Sequence, residues 1–122
     1  DLIEWIYRWI DMFDCVLPTR LGRHWVAFSS IWNIKIKNLK WKLSKDPLDQ
    51  YCKCKVCKNY TKWYLRHLIL EWEMQWMQLL SYHNLYYLIH LCKNARKAIL
   101  ENKYNEFREN FWKKYPKEVL NK

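Results

Sequence analysis

The sequence predicts an α+β chain that is mostly helical. From Asn59 to about Leu120 there is no glycine, and no proline before Pro116, while apolar residues recur at helical spacing. β-Branched and aromatic residues collect instead in the first third, around 11–16 and 25–41. Glycine is nearly absent: Gly22 stands alone where the usual ~7% predicts about eight or nine, beside nine tryptophans.

In chain order, DLIEWIYRWI (1–10) sets Leu2, Ile3, Ile6 and Ile10 at helical spacing, with Asp1 as N-cap candidate. Asp11 to Val16 reads as a short strand-like run stopped by Leu17-Pro18, and Pro18 to Gly22 reads as a loop. Residues 25–41 alternate in part, Ile34 and Ile36 against Lys35 and Lys37, which predicts a β-hairpin or an irregular extended arm. Lys45 to Asp49 is a polar connector into a cysteine cluster, and helices follow it. The expected division is 1–45, 46–100 and 101–122, the last a C-terminal helix.

At 122 residues the chain is one domain or a piece of a larger one, too short for a complete eight-stranded β/α barrel of roughly 200 residues or more. It opens inside an amphipathic pattern without an initiator Met, as a fragment would. Twenty-two Lys and Arg against twelve Asp and Glu leave +10, which favours a polyanionic partner, nucleic acid before anionic membrane. Met74 to Cys92 holds no charged residue, but Gln75, Gln78, Ser81, His83, Asn84 and His90 interrupt it. A buried, partly polar helix is expected there, not a membrane span.

Cys52, Cys54 and Cys57 fall within six residues, a spacing that suits a metal in a reducing, cytoplasmic setting better than disulfides. Zinc wants four soft or borderline donors in a tetrahedron. His83, on a helical stripe with Leu79, Leu80, Tyr86 and Tyr87, faces inward and is the natural fourth; alone it would read as a core histidine. Three thiolates and a neutral imidazole leave a charge near −1, offset by Lys53, Lys55 and Lys58. One unbroken helix would hold Cys57 and His83 about 39 Å apart. The helix must therefore turn back between Leu68 and Glu73, where Trp72 sits. Cys15 and Cys92 are expected as small core residues.

Six strings in order, DMFDCVLPTR (11–20), NIKIKN (33–38), PLD (47–49), CKCKVCKNYTKWYLRHL (52–68), LLSYHNLYYL (79–88) and FRENFWKKY (107–115), resemble the C-terminal third of tRNA-guanine transglycosylases. The family's C-x-C-x2-C-x25-H zinc motif has the Cys57 to His83 spacing. The resemblance implies a C-terminal fragment of a (β/α)8 barrel enzyme with a zinc-binding helical subdomain over 46–100. It implies Asp14 as the nucleophile that attacks the wobble guanosine of a GUN anticodon before a 7-deazaguanine base displaces it, on the route to queuosine. Arg20 and Arg23 then match arginines that hold the tRNA anticodon loop; Lys35, Lys37, Lys40 and Lys42 either extend a phosphate-binding strip by charge alone or are the exposed face of a hairpin.

The family forms homodimers near the zinc region, so Tyr60, Tyr64 and His67, at i, i+4 and i+7, are either interface anchors or core. The family's acid/base carboxylate and base pocket belong to earlier barrel strands, outside these residues. A non-catalytic, zinc-stabilised tRNA-binding or dimerisation module is the alternative; a membrane-surface helix is a third. Trp9, Trp25, Trp32 and Trp76 stand where the resemblance implies glycine, Trp72 replaces a small turn residue, and Trp5 and Trp63 replace alanine. An indole supplies neither the positive φ nor the close approach that glycine allows.

Overall fold

A computed structural model describes residues 2–14, 16–30 and 33–114. Helix α1, Leu2–Tyr7, is followed by coil, then by α2, Leu17–Arg23. Strands β1, Val26–Ala27, and β2, Ile34–Lys35, pair antiparallel with Val26 opposite Lys35 and Ala27 opposite Ile34. A 3-10 turn at Leu39–Trp41 leads to α3, Lys55–Asn59, α4, Lys62–Leu70, α5, Gln75–Leu100, and α6, Tyr104–Lys113. The mostly helical α+β expectation holds, and the extended arm is present as this two-stranded ribbon.

Two local expectations are corrected. The run 11–16 forms no strand in its described residues, because no neighbouring strand pairs with it and a lone extended segment leaves its backbone groups to water. Residues 18–22 are helix, not loop: Pro18 sits in the first turn of α2, where its missing N–H costs nothing. Gly22 is there for contact between helices. A Cβ at Gly22 would stand 2.9 Å from Ser81 Oγ and 3.1 Å from Ser81 N, so glycine lets α2 lie against α5.

The core gathers Ala27, Ile36, Leu48, Val56, Leu65, Leu68, Ile69, Leu79 and Leu80 between the ribbon, α3, α4 and the first half of α5. Asn84 staples this packing from inside. Its Nδ2 donates to the Pro18 carbonyl at 2.9 Å and the Val26 carbonyl at 3.0 Å, and its Oδ1 accepts from Phe28 N at 2.9 Å. One fully buried side chain so ties α5 to the start of α2 and to β1.

At the other end, α1 docks on α6. Arg108 clamps Glu4 through Nε at 2.7 Å and Nη2 at 2.8 Å, Trp112 Nε1 donates to the same carboxylate at 2.9 Å, and Tyr104 Oη donates to the Ile3 carbonyl.

Cys92 is exposed, not a core residue, because the buried stretch of α5 ends at Asn84 and resumes only at Ala95. Asp1, Cys15, Trp32 and Pro116 lie outside the described residues, as does the end of the expected C-terminal helix. Among the described residues no helix is long and apolar enough to cross a membrane.

Candidate metal centre

The predicted fold-back exists. α4 ends at Leu70, Trp72 takes a left-handed backbone at φ 59°, and α5 starts at Gln75. Trp72 N donates to the Ile69 carbonyl at 3.2 Å and Glu73 N to the Leu68 carbonyl at 3.0 Å, closing α4 before the chain reverses. This turn returns His83 to the cysteines. Cys54 is the N-cap of α3 and its Sγ accepts from Cys57 N at 3.4 Å, so a short helix start holds two of the thiols side by side.

The four donor atoms of Cys52, Cys54, Cys57 and His83 lie within 4.8 Å of one another. His83 Nδ1 is 3.8 Å from Cys52 Sγ, 3.5 Å from Cys54 Sγ and 3.3 Å from Cys57 Sγ. With Zn–S near 2.3 Å and Zn–N near 2.0–2.1 Å, a tetrahedron sets sulfur and nitrogen about 3.6 Å apart. The observed distances bracket that edge. His83 Nε2 faces the Phe28 carbonyl at 2.7 Å. Donating its proton there leaves the Nδ1 lone pair free for the metal, the outer contact that fixes a ligating imidazole. Four protein donors leave no open position, so the site is structural: one zinc that staples α3 to α5.

Before metal enters, the cluster shares protons. Hydrogen bonds received from Cys52 and Cys57 push the Cys54 thiol far down, while Cys57, donating its S–H toward Cys52 and Cys54, is pushed far up. Burial favours neutral His83, but hydrogen bonding to Cys52 and Cys54 outweighs it and raises the imidazole to about 9. Zinc displaces these protons when it binds. Lys53, Lys55 and Lys58 are exposed around the cluster, and Lys55 Nζ stands 4.7 Å over the Tyr82 ring.

Asp49 is a supporting residue that sequence reasoning missed. Its buried carboxylate accepts from Ser30 N and Oγ at 3.0 and 2.7 Å and from Tyr51 N at 3.0 Å, and its carbonyl accepts from Cys52 N. It fixes the entry to the cysteine loop. Its place before Tyr51-Cys52 in the connector was the only local signal; nothing local marked Ser30 as its partner.

The other predicted residues lie apart from the metal. Asp14 is exposed in the coil before α2, and Phe13 beside it stacks on Trp5 at 6.0 Å. Arg20 and Arg23 are both exposed on α2, one helical turn apart rather than on a loop. Tyr60 belongs to the extended link before α4, not to the helix, yet it stacks on Tyr64 at 5.5 Å; His67 is exposed and stacks on Trp63 at 5.9 Å. Lys37 covers Trp25, and Lys40 and Lys62 both cover Trp41.

Fold and site together define a helical domain stapled by a Cys3His zinc site. Residues 1–117 match the family described as Queuine tRNA-ribosyltransferase. The Queuine tRNA-ribosyltransferases of Halothermothrix orenii and Fusobacterium nucleatum are each 47% identical to this chain over 115 residues, 94% of it and 31% of their own length. That of Streptococcus suis is 46% identical over 115 residues, 30% of its length. The chain belongs to the queuine tRNA-ribosyltransferase family, and it spans about a third of the length of the curated relatives it matches.

Proposed function

We propose that this chain is the C-terminal part of a tRNA-guanine transglycosylase that exchanges the wobble guanine of GUN-anticodon tRNAs for a 7-deazaguanine base. Asp14 is the nucleophile. Its carboxylate oxygen bonds to C1′ of the nucleoside as the glycosidic bond breaks, and guanine leaves with the electron pair and a proton from the enzyme's acid/base carboxylic acid. The nitrogen of the incoming base then attacks C1′ from the face that guanine left, gives its proton back to that carboxylate and releases Asp14, so two inversions retain configuration. Arg20 and Arg23 grip the anticodon loop, with guanidinium forks suited to phosphates and base edges. The acid/base carboxylate and the base pocket belong to barrel strands preceding residues 1–45.

The observation that carries this reading is the placement of Asp14 on the segment that enters α2. That helix bears both exposed arginines, and Asn84 locks it to the helix of His83. A zinc-stapled platform thus holds nucleophile and tRNA grip in one register. In this reading 1–45 end the barrel, 46–100 form the zinc subdomain, and 101–122 are the C-terminal helix. Cysteines used as metal ligands rather than in disulfides support a reducing, cytoplasmic setting. Tyr60, Tyr64 and His67 serve a homodimer interface near the zinc.

The test uses the complete gene product with tRNA carrying labelled guanine. Label is lost with the wild type, retained with Asp14→Asn, and lost only at higher tRNA concentration with Arg20→Ala or Arg23→Ala. Retention by the wild type sinks the enzymatic reading. A second reading is a zinc-stabilised tRNA-binding or dimerisation module without chemistry, for which a cavity of about 280 Å³ beside Cys52, lined also by Tyr86, His90, Asn94 and Lys114, offers a contact site. Asp14→Asn with undiminished function would select it.

A further inference from the structure

Four described non-glycine residues have positive φ, and three of them are tryptophan: Trp9 at 73°, Trp25 at 64° and Trp72 at 59°; the fourth is Asn102 at 56°. The left-handed region is sterically costly for any residue with a bulky Cβ substituent and is used routinely by glycine, with asparagine next. Each of the four closes a helix. At Trp9 the amide donates to the Ile6 carbonyl and the next amide, of Ile10, to the Trp5 carbonyl. Trp72 and Glu73 repeat the pair to Ile69 and Leu68, and Asn102 and Lys103 to Ile99 and Ala98.

Paired three-back and five-back bonds of this kind form the helix stop whose left-handed residue is usually glycine and sometimes asparagine. Asn102 fits that rule; the tryptophans do not. Trp25 follows α2 in the same conformation, with its amide on the Gly22 carbonyl.

The rings give no reason for tryptophan at two of these stops. Trp9 is 92% exposed and Trp72 78% exposed. By contrast, Trp41 Nε1 donates to the Lys35 carbonyl under two lysines, and Trp112 Nε1 donates to Glu4. Trp76 has a helical backbone and a buried ring against Trp25. Among the described residues the positive-φ misfit is confined to the helix stops, and it occurs in a chain with a single glycine.

We propose that the protein made in its native cells carries glycine at positions 9, 25 and 72, the codons that read as tryptophan there being decoded by a glycine-charged tRNA. Position 72 matters most for the site, because that stop turns α5 back and delivers His83 to the cysteines. Glycine reaches the required φ without a Cβ clash, so the zinc site assembles on an unstrained turn.

The test has two arms. The first is mass spectrometry of tryptic peptides 9–20, 24–35 and 67–93 from the protein purified out of its native cells. Masses and fragment ions placing glycine at 9, 25 and 72 are expected; tryptophan at those positions overturns the proposal. The second compares recombinant chain as written with Trp9→Gly, Trp25→Gly and Trp72→Gly, singly and together, using Trp41→Gly as comparator. The combined variant is expected to raise the denaturation midpoint and Trp41→Gly to lower it. A combined variant that melts no higher than the written sequence overturns the geometric premise.

Discussion

His83 Nε2 lies 2.7 Å from the Phe28 carbonyl, so the residue that completes the cysteine cluster is aimed by the strand segment leaving β1. Its neighbour Asn84 accepts from the amide of the same Phe28 at 2.9 Å. Two consecutive residues of α5 thereby read both backbone groups of one residue, coupling metal-site geometry to the packing of α2, the helix of Arg20 and Arg23.

Replacing Asn84 by alanine leaves Phe28 N and the carbonyls of Pro18 and Val26 without their buried partner. An unmet buried polar group costs about 1–3 kcal/mol, so a loss of about 3 kcal/mol is expected. Urea titration should show a lower midpoint at unchanged slope.

Gly22→Ala forces a methyl group against Ser81, including its backbone N and Cα at 3.1 and 3.2 Å. Overpacking of this kind costs about 1–3 kcal/mol. Adding Ser81→Ala removes the hydroxyl but not the backbone contacts. Thermal melts of the double variant should recover part of the loss and not all of it.

The clamp on α1 gives a pH signature. The hydrogen bond from Arg108 is the largest cause holding the Glu4 carboxyl below its ordinary value of 4.5. A folded-state value below the unfolded one means the contribution is fully present above about pH 4.5. It is lost as pH falls through the lowered value. The stability difference between wild type and Glu4→Gln should therefore shrink on acidification below that point, and also with added salt. A difference that stayed constant down to the acid transition would contradict the clamp.

Asp49→Ala removes the acceptor of Ser30 and Tyr51 at the mouth of the cysteine loop. Metal affinity should fall by about 10–100-fold, the usual effect of losing an outer support. Competition with a zinc-sensitive chelating dye would measure it.

The metal site was legible because its donors are chemically distinctive and three of them sit within six residues. The reversal at Trp72 was legible only as a demand of distance, since nothing in the residue type there announces a turn. Pro18 and Gly22 look like loop punctuation, but proline is welcome in a first helical turn and Gly22 serves a neighbour 59 positions away in sequence. The strand-like 11–16 run has β-forming composition without a partner strand. Asn84 and Asp49 act on residues distant in the chain, and such hydrogen bonds leave no local pattern. Composition marked the tryptophans only as too many, and the resemblance marked positions 9, 25 and 72 among them; backbone angles turned that into a specific misfit at helix stops.

One zinc, held by Cys52, Cys54, Cys57 and His83, fastens the reversed α5 to the cysteine loop. The most direct test is zinc content by elemental analysis of the purified protein and of His83→Ala, with far-ultraviolet dichroism to follow helix content. One zinc per chain is expected, lost or much weakened in the variant, with helix content that falls when a chelator strips the metal. A well-folded chain that binds no zinc, or that keeps it undiminished without His83, would contradict this.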